Sequence, residues 1–305
     1  MGESLLKTFV LFRIVLFILL FLCSSLKAQY KNFTLSQVES YKIRENNFPH
    51  LAGVSVYDLA YRSFDKTAVK GFLIMPKNEG KKYPVIIYNR GGNGSYGMVS
   101  EPYIVRFLSK LAAKGFIVIG SHLRGSEGSE GNDEFGGKDM DDVVYLFNII
   151  DELKIADTAK IAQIGWSRGG ITNFQLLKKT NRIDATVTIA SPADLLDAHR
   201  DIMFTVYRNR IPGYAKDSVA ALRKVSPLYQ IDSVLNKKAP MLFIHGDKDD
   251  TVLHANSIKL NDKAQQLGIR SRLITYPGGD HGLREYFDIL LSDITLWLNV
   301  ELNKS

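Results

Sequence analysis

Three segments, far apart in the chain, carry the residue types that a hydroxyl nucleophile needs. Gly165-Trp166-Ser167-Arg168-Gly169 fits G-x-S-x-G, a pattern that places a serine on a sharp strand-to-helix turn. The pattern alone is weak, because any glycine-rich turn can match it. Its setting adds weight: Ile161 to Ile164 is an apolar run, and the residues after Gly170 have helical spacing. Such a turn strains the serine backbone and exposes its hydroxyl, while the flanking glycines let strand and helix come close. The Arg168 N–H then faces a developing oxyanion from a helix N-terminus.

A base and an acid are available. Gly278-Gly279-Asp280-His281-Gly282 puts a histidine on a glycine-rich loop, free to swing over a serine. The other five histidines lie at strand ends or outside any such loop. His245-Gly246-Asp247-Lys248-Asp249-Asp250 offers three aspartates in one turn, suited to a cation, a helix cap, or the acid that orients an imidazole. Spacing does not choose between Asp249 and Asp250. The chain order Ser167, acid, His281 is that of α/β-hydrolases.

These residues need a scaffold, and the chain supplies one. Val54 to Tyr61 and Val69 to Met75 read as strands joined by a turn at Phe64-Asp65-Lys66. Short apolar runs then alternate with helical segments. Strands are expected at Pro84–Tyr88, Phe116–Gly120, Ile161–Gly165, Ala185–Ala190, Met241–His245 and Arg272–Tyr276. Helices are expected over 99–114, 138–153, 167–180, 255–267 and 286–300. The alternation predicts an α/β-hydrolase fold: a mostly parallel, twisted sheet of about eight strands, with helices on both faces. In such sheets the chemistry collects at the carboxyl ends of the strands. Residues 29–50 read as a loosely helical lead-in, 51–305 as the main domain, and 192–239 as a helical insertion that caps the cleft.

Composition narrows the setting. The net charge of +7 comes from scattered lysines and arginines rather than a basic stripe, so no nucleic-acid partner is expected. Lys7 and Arg13 precede an apolar run from Ile14 to Cys23, and Ala28 follows, the layout of a secretory signal peptide over residues 1–28. That run is too short to span a bilayer, so export to the periplasm or medium is expected, with no lasting membrane insertion. Cleavage after Ala28 removes the only cysteine, leaving no thiol or disulfide chemistry. The acidic stretches 127–142 and 247–250 come without a histidine pair at metal-ligand spacing, so neither a metal nor any other cofactor is expected.

Taken together, the segment 83–300 resembles the catalytic domain of the prolyl oligopeptidase family of serine peptidases. The matching pieces are Tyr83-Pro84-Val85-Ile86-Ile87, Arg124-Gly125-Ser126, Gly137 to Asp142, Gly165 to Gly170, His245-Gly246-Asp247-Lys248-Asp249 and Asp280-His281-Gly282. The resemblance implies a Ser167–Asp249–His281 triad, since the family's acid ends an H-G-x-x-D motif. It also implies acyl transfer on a small peptide, with an ester as the alternative substrate. Two features depart from the family. No room exists before residue 83 for the β-propeller of its large members. Several members use a tyrosine hydroxyl after the first parallel strand to hold the oxyanion, but here the segment is Asn89-Arg90-Gly91-Gly92. That segment looks more like the H-G-G loops of esterases, so the Gly92 or Gly91 amide is expected opposite that of Arg168. Arg90, Trp166, Arg200, Tyr207 and Arg208 are candidate substrate contacts, with Arg200, Arg208 and Arg210 the candidates to attract a carboxylate. A binding protein that kept the scaffold without activity is the rival class; a missing triad member would mark it, and none is missing.

Overall fold

The computed structural model describes residues 27–77 and 80–303. Most of the expected signal segment therefore lies outside the described residues. Ten strands form one sheet: β1 (Lys27–Gln29), β2 (Phe33–Gln37), β3 (Val54–Arg62), β4 (Ala68–Pro76), β5 (Tyr83–Asn89), β6 (Ile117–Ser121), β7 (Ala156–Trp166), β8 (Ala185–Ile189), β9 (Met241–Gly246) and β10 (Ser271–Tyr276). Their order across the sheet is β1-β2-β3-β4-β6-β5-β7-β8-β9-β10. β1 to β4 run antiparallel to their neighbours; from β6 to β10 every pairing is parallel. This is the α/β-hydrolase arrangement.

The parallel strands are continuous apolar runs because both faces are covered. Along β5 the side chains alternate between two cores. Val85 and Ile87 join one with Ile117, Ile119 and Phe243, while Ile86 and Tyr88 join the other with Val118, Ile164 and Ile244. The count of ten exceeds the expected eight because the start of the lead-in is extended, while its later part is helical at Glu39–Arg44 and Pro49–Gly53. Phe33 and Leu35 alternate with exposed neighbours and bury one face, which is strand periodicity, and β2 pairs with β3. β1 straddles the expected cut after Ala28, so a mature chain cut there begins within this strand. The helix expected over 138–153 is two pieces, Asp139–Val144 and Leu146–Glu152. Among the described residues, no helix is long and apolar enough to cross a membrane.

Residues 192–239 carry the helices Ile202–Arg210, Ser218–Val225 and Pro227–Gln230. They pack through Tyr207, Ile211, Leu222 and Val225 onto Phe135 and Ile171, forming a third apolar cluster.

Candidate active site

Ser167 follows β7 directly and opens the helix Arg168–Leu177, with φ 54° and ψ −122°. A non-glycine residue at positive φ is strained, and here the strain lifts the side chain off the turn. The turn is possible only because its neighbours lack a Cβ. One added at Gly165 would meet the Gly169 oxygen at 2.2 Å, and one at Gly169 would meet the Asn89 oxygen at 1.9 Å.

The structure brings the three predicted side chains together. His281 Nε2 lies 3.1 Å from Ser167 Oγ, and His281 Nδ1 lies 2.7 Å from Asp249 Oδ2. Asp249 is buried, and its other oxygen accepts from the Thr251 and Val252 amides, each at 2.9 Å. Asp250 is exposed and turned to the Thr251 hydroxyl. Geometry therefore selects Asp249. Burial opposes ionisation of Asp249, yet the hydrogen bonds from His245 and His281 outweigh it and hold the carboxyl well below its usual range.

His245 is a member that sequence reading placed only at a strand end. Its Nε2 reaches Asp249 Oδ2 at 3.0 Å and the Val252 carbonyl at 2.8 Å, and its Nδ1 lies 2.7 Å from Ser257 Oγ. With two acceptors on one nitrogen, Nε2 carries the proton. The i, i+4 spacing of His245 and Asp249 was the available signal.

The loop bearing His281 is pinned rather than free to swing. Trp166 Nε1 donates to the His281 carbonyl at 3.1 Å, and Asp280 Oδ1 accepts from the amides of Gly282 and Leu283. The Lys248 amide donates to the Gly279 carbonyl, tying the His281 loop to the Asp249 loop. Trp166 thus holds the His281 backbone as well as lining the cavity.

The loop after β5 passes close to Ser167: a Cβ on Gly91 would lie 3.3 Å from Ser167 Cβ. Gly92 has φ +68°, and a Cβ there would meet the Tyr96 oxygen at 2.0 Å, so only glycine fits. Among the described residues, no protein acceptor takes the N–H of Gly91, Gly92 or Arg168. The Arg168 side chain is also employed. It bonds Asp133 at 2.6 and 2.7 Å, Asp139 at 2.7 Å and the Gly92 carbonyl at 3.1 Å. Asp133 in turn accepts from the Gly94 amide at 2.8 Å. Burial penalises the Asp133 charge, but Arg168 and two backbone amides overcome this and lower its pKa to about 2. Three carboxylates of the acidic stretch 127–142 are thereby accounted for: Asp133 and Asp139 pair with Arg168, and Asp142 pairs with Arg124.

A cavity of about 470 Å³ opens over Ser167 and His281. Its walls include Trp166, Arg90, Arg200 and Tyr207, together with Phe135, Met203, Phe287 and Arg284, which sequence reading did not single out. Arg200 and Arg284 are exposed. Arg90 lines the cavity while its buried guanidinium is spent on the loop. Two expectations need correction. Arg208 is exposed on the outer side of its helix and is not part of the cavity wall. Arg210 turns to Asp133 at 3.5 Å and is not part of the wall either.

Comparison with known proteins places this geometry. The sequence model described as the prolyl oligopeptidase family matches residues 105–305. The chain belongs to this family. A second model, acetyl xylan esterase (AXE1), matches residues 28–143. This family member is 30% identical over 217 residues to uncharacterized peptidase YtmA of Bacillus subtilis (strain 168), covering 70% of this chain and 81% of that one. It is 28% identical over 253 residues to dipeptidyl-peptidase 5 of Porphyromonas gingivalis, covering 76% of this chain but 36% of that protein. In fold it is similar to the Pyrococcus horikoshii acylaminoacyl peptidase, with TM-score 0.71 at 21% identity over 92% of this chain and 50% of the other. It is also similar to an acetyl xylan esterase from Paenibacillus sp. R4, with TM-score 0.65 at 14% identity over 88% and 89% of the two chains. The family member is a serine hydrolase of the peptidase or esterase type.

Proposed function

We propose that this chain is an exported serine peptidase acting on small peptides through an acyl-enzyme on Ser167. One observation carries the reading: a continuous hydrogen-bonded line from Ser167 Oγ through His281 to buried Asp249, at 3.1 and 2.7 Å, at the floor of the cavity. His281 Nε2 takes the hydroxyl proton as Ser167 Oγ attacks the acyl carbon. The Arg168 amide and the amide of Gly92 or Gly91 hold the oxyanion. His281 then protonates the departing amine, and water repeats the sequence to free the acid. Asp249 fixes Nδ1–H on the imidazole throughout. The mostly apolar cavity, walled by Phe135, Met203 and Phe287, favours an apolar side chain beside the scissile bond. The signal-like start supports export; N-terminal sequencing of protein recovered from periplasm or medium tests it, with residues before Ala28 retained as the contrary result.

Carboxylester hydrolysis is the second reading, favoured by the AXE1 match over residues 28–143 and the fold similarity to an acetyl xylan esterase over 88% of this chain and 89% of that one. Peptidyl-nitroanilides and acyl-nitrophenyl esters, assayed side by side against a Ser167→Ala background, separate the two. Serine-dependent anilide cleavage is the expected result. Turnover of esters alone would exclude the peptidase reading.

A further inference from the structure

Arg90 is a buried charge that the reaction above leaves unused. Its side chain is 2% exposed, and all five of its N–H groups find acceptors. Nε donates to the Gly91 carbonyl at 3.2 Å. Nη1 donates to the His122 carbonyl at 3.1 Å and to Ser126 Oγ at 2.8 Å. Nη2 donates to the carbonyls of Gly94 at 2.7 Å and Tyr96 at 2.8 Å. None of these acceptors is charged. Arg168, by contrast, meets two carboxylates. Burial, and then the charge of Arg168, lower the Arg90 pKa to about 10, which leaves the group cationic at neutral pH.

A cation held only by neutral oxygens polarises the peptides that hold it. The Gly91 carbonyl and the Gly92 N–H belong to one planar, conjugated unit. A charged donor on its oxygen draws electron density that way and makes the N–H at the other end a stronger donor. That peptide runs beside the nucleophile, since a Cβ on Gly91 would lie 3.1 Å from the Trp166 oxygen and 3.3 Å from Ser167 Cβ. The next carbonyl, that of Gly92, is held by Arg168 Nη1 at 3.1 Å. Two guanidinium groups thus grip consecutive peptides, and the Gly92 N–H between them has no protein acceptor among the described residues.

We infer that Arg90 is a positioning residue for the oxyanion site, fixing the Gly91–Gly92 peptide and strengthening the Gly92 N–H through its charge. The inference rests on the Ser167 reading and goes further, because it selects the Gly92 N–H as the donor opposite that of Arg168 and names what strengthens it.

The test compares Arg90→Gln, Arg90→Lys and Ser167→Ala on a nitrophenyl ester, each checked by circular dichroism and thermal unfolding. Turnover surviving in Ser167→Ala would remove the underlying reading and this inference with it. With that variant inactive, Arg90 is tested on its own. Arg90→Gln is expected to lose about 10- to 100-fold in kcat with KM within about threefold, a part of what deleting an oxyanion donor costs. Arg90→Lys, which keeps the charge but not the fork, is expected to retain at least about five times the kcat of Arg90→Gln. A merely structural role would lower both variants alike and raise KM; that result, or Arg90→Gln within twofold of wild type, overturns the inference. If neither variant folds, the wild-type protein answers. With glycine labelled in carbonyl carbon and nitrogen, only four peptides are Gly–Gly, at 91–92, 136–137, 169–170 and 278–279. On formation of a trifluoromethyl ketone adduct, the Gly92 amide proton and the Arg90 Nε proton are expected to move downfield together. An unshifted Gly92 proton overturns the inference.

Discussion

Asp249→Asn changes one atom in a site where every atom around it is fixed, so its cost follows from the geometry. The carboxylate accepts four hydrogen bonds: from His281 Nδ1 at 2.7 Å and His245 Nε2 at 3.0 Å on one oxygen, and from the Thr251 and Val252 amides at 2.9 Å on the other. An asparagine has one oxygen to share between two pairs of donors. Kept on the backbone amides, it turns its NH2 toward His281, whose Nδ1 must then accept. The imidazole proton moves to Nε2, the atom 3.1 Å from Ser167 Oγ, and the base has lost its lone pair. Flipping the amide restores the working tautomer but sets NH2 against two backbone N–H groups. Leaving those unsatisfied costs roughly 1–3 kcal/mol each. At about 1.36 kcal/mol per tenfold, kcat should fall about 10²- to 10⁴-fold. KM should stay within about threefold, because Asp249 touches no substrate. Steady-state kinetics on a nitrophenyl ester measure both, with Asp250→Asn, an exposed neighbour, expected within about twofold of wild type. Residual kcat above a tenth of wild type in Asp249→Asn would refute the assignment.

Two further outcomes follow from the buried charges. Arg168→Met leaves Asp139 buried without its cation and Asp133 with only the more distant Arg210, and should destabilise the fold by about 3–5 kcal/mol in urea titrations; an unchanged midpoint would show these ion pairs to be idle. His122 is held neutral, first by burial and then by Arg90 and Lys70, which lower its pKa from 6.5 to about 4. Over that interval the unfolded chain binds a proton that the folded chain refuses, so this share of stability is full above about pH 6.5 and drains away toward pH 4. His122→Gln should therefore flatten the fall in melting temperature between those limits, and parallel curves for variant and wild type would contradict it.

Much of the fold was legible because the physics that makes it is local. Runs such as Val85–Ile87 and Ile161–Ile164 can be satisfied only by a sheet covered on both sides, and the G-x-S-x-G turn announces itself by missing Cβ atoms. The three side chains that converge were legible through their positions just beyond β7, β9 and β10. What stayed hidden depends on contacts between distant residues. No spacing links Arg168 to Asp133 and Asp139, so nothing in the acidic stretch showed that it holds the counter-charges of the residue after Ser167. The full engagement of the Arg90 guanidinium was hidden as well, since nothing local shows that carbonyls from Gly91, Gly94, Tyr96 and His122 fold around it. The extra strand β2 was hidden by length: with only Phe33 and Leu35 turned inward, alternation over five residues is faint until β3 supplies a partner.

The most direct measurement is covalent. The full-length protein, treated with a fluorophosphonate and digested, should yield one modified peptide carrying the adduct on Ser167, with hydrolytic activity falling in step with labelling. Modification elsewhere, or full activity after Ser167 is capped, would contradict a nucleophile at this position.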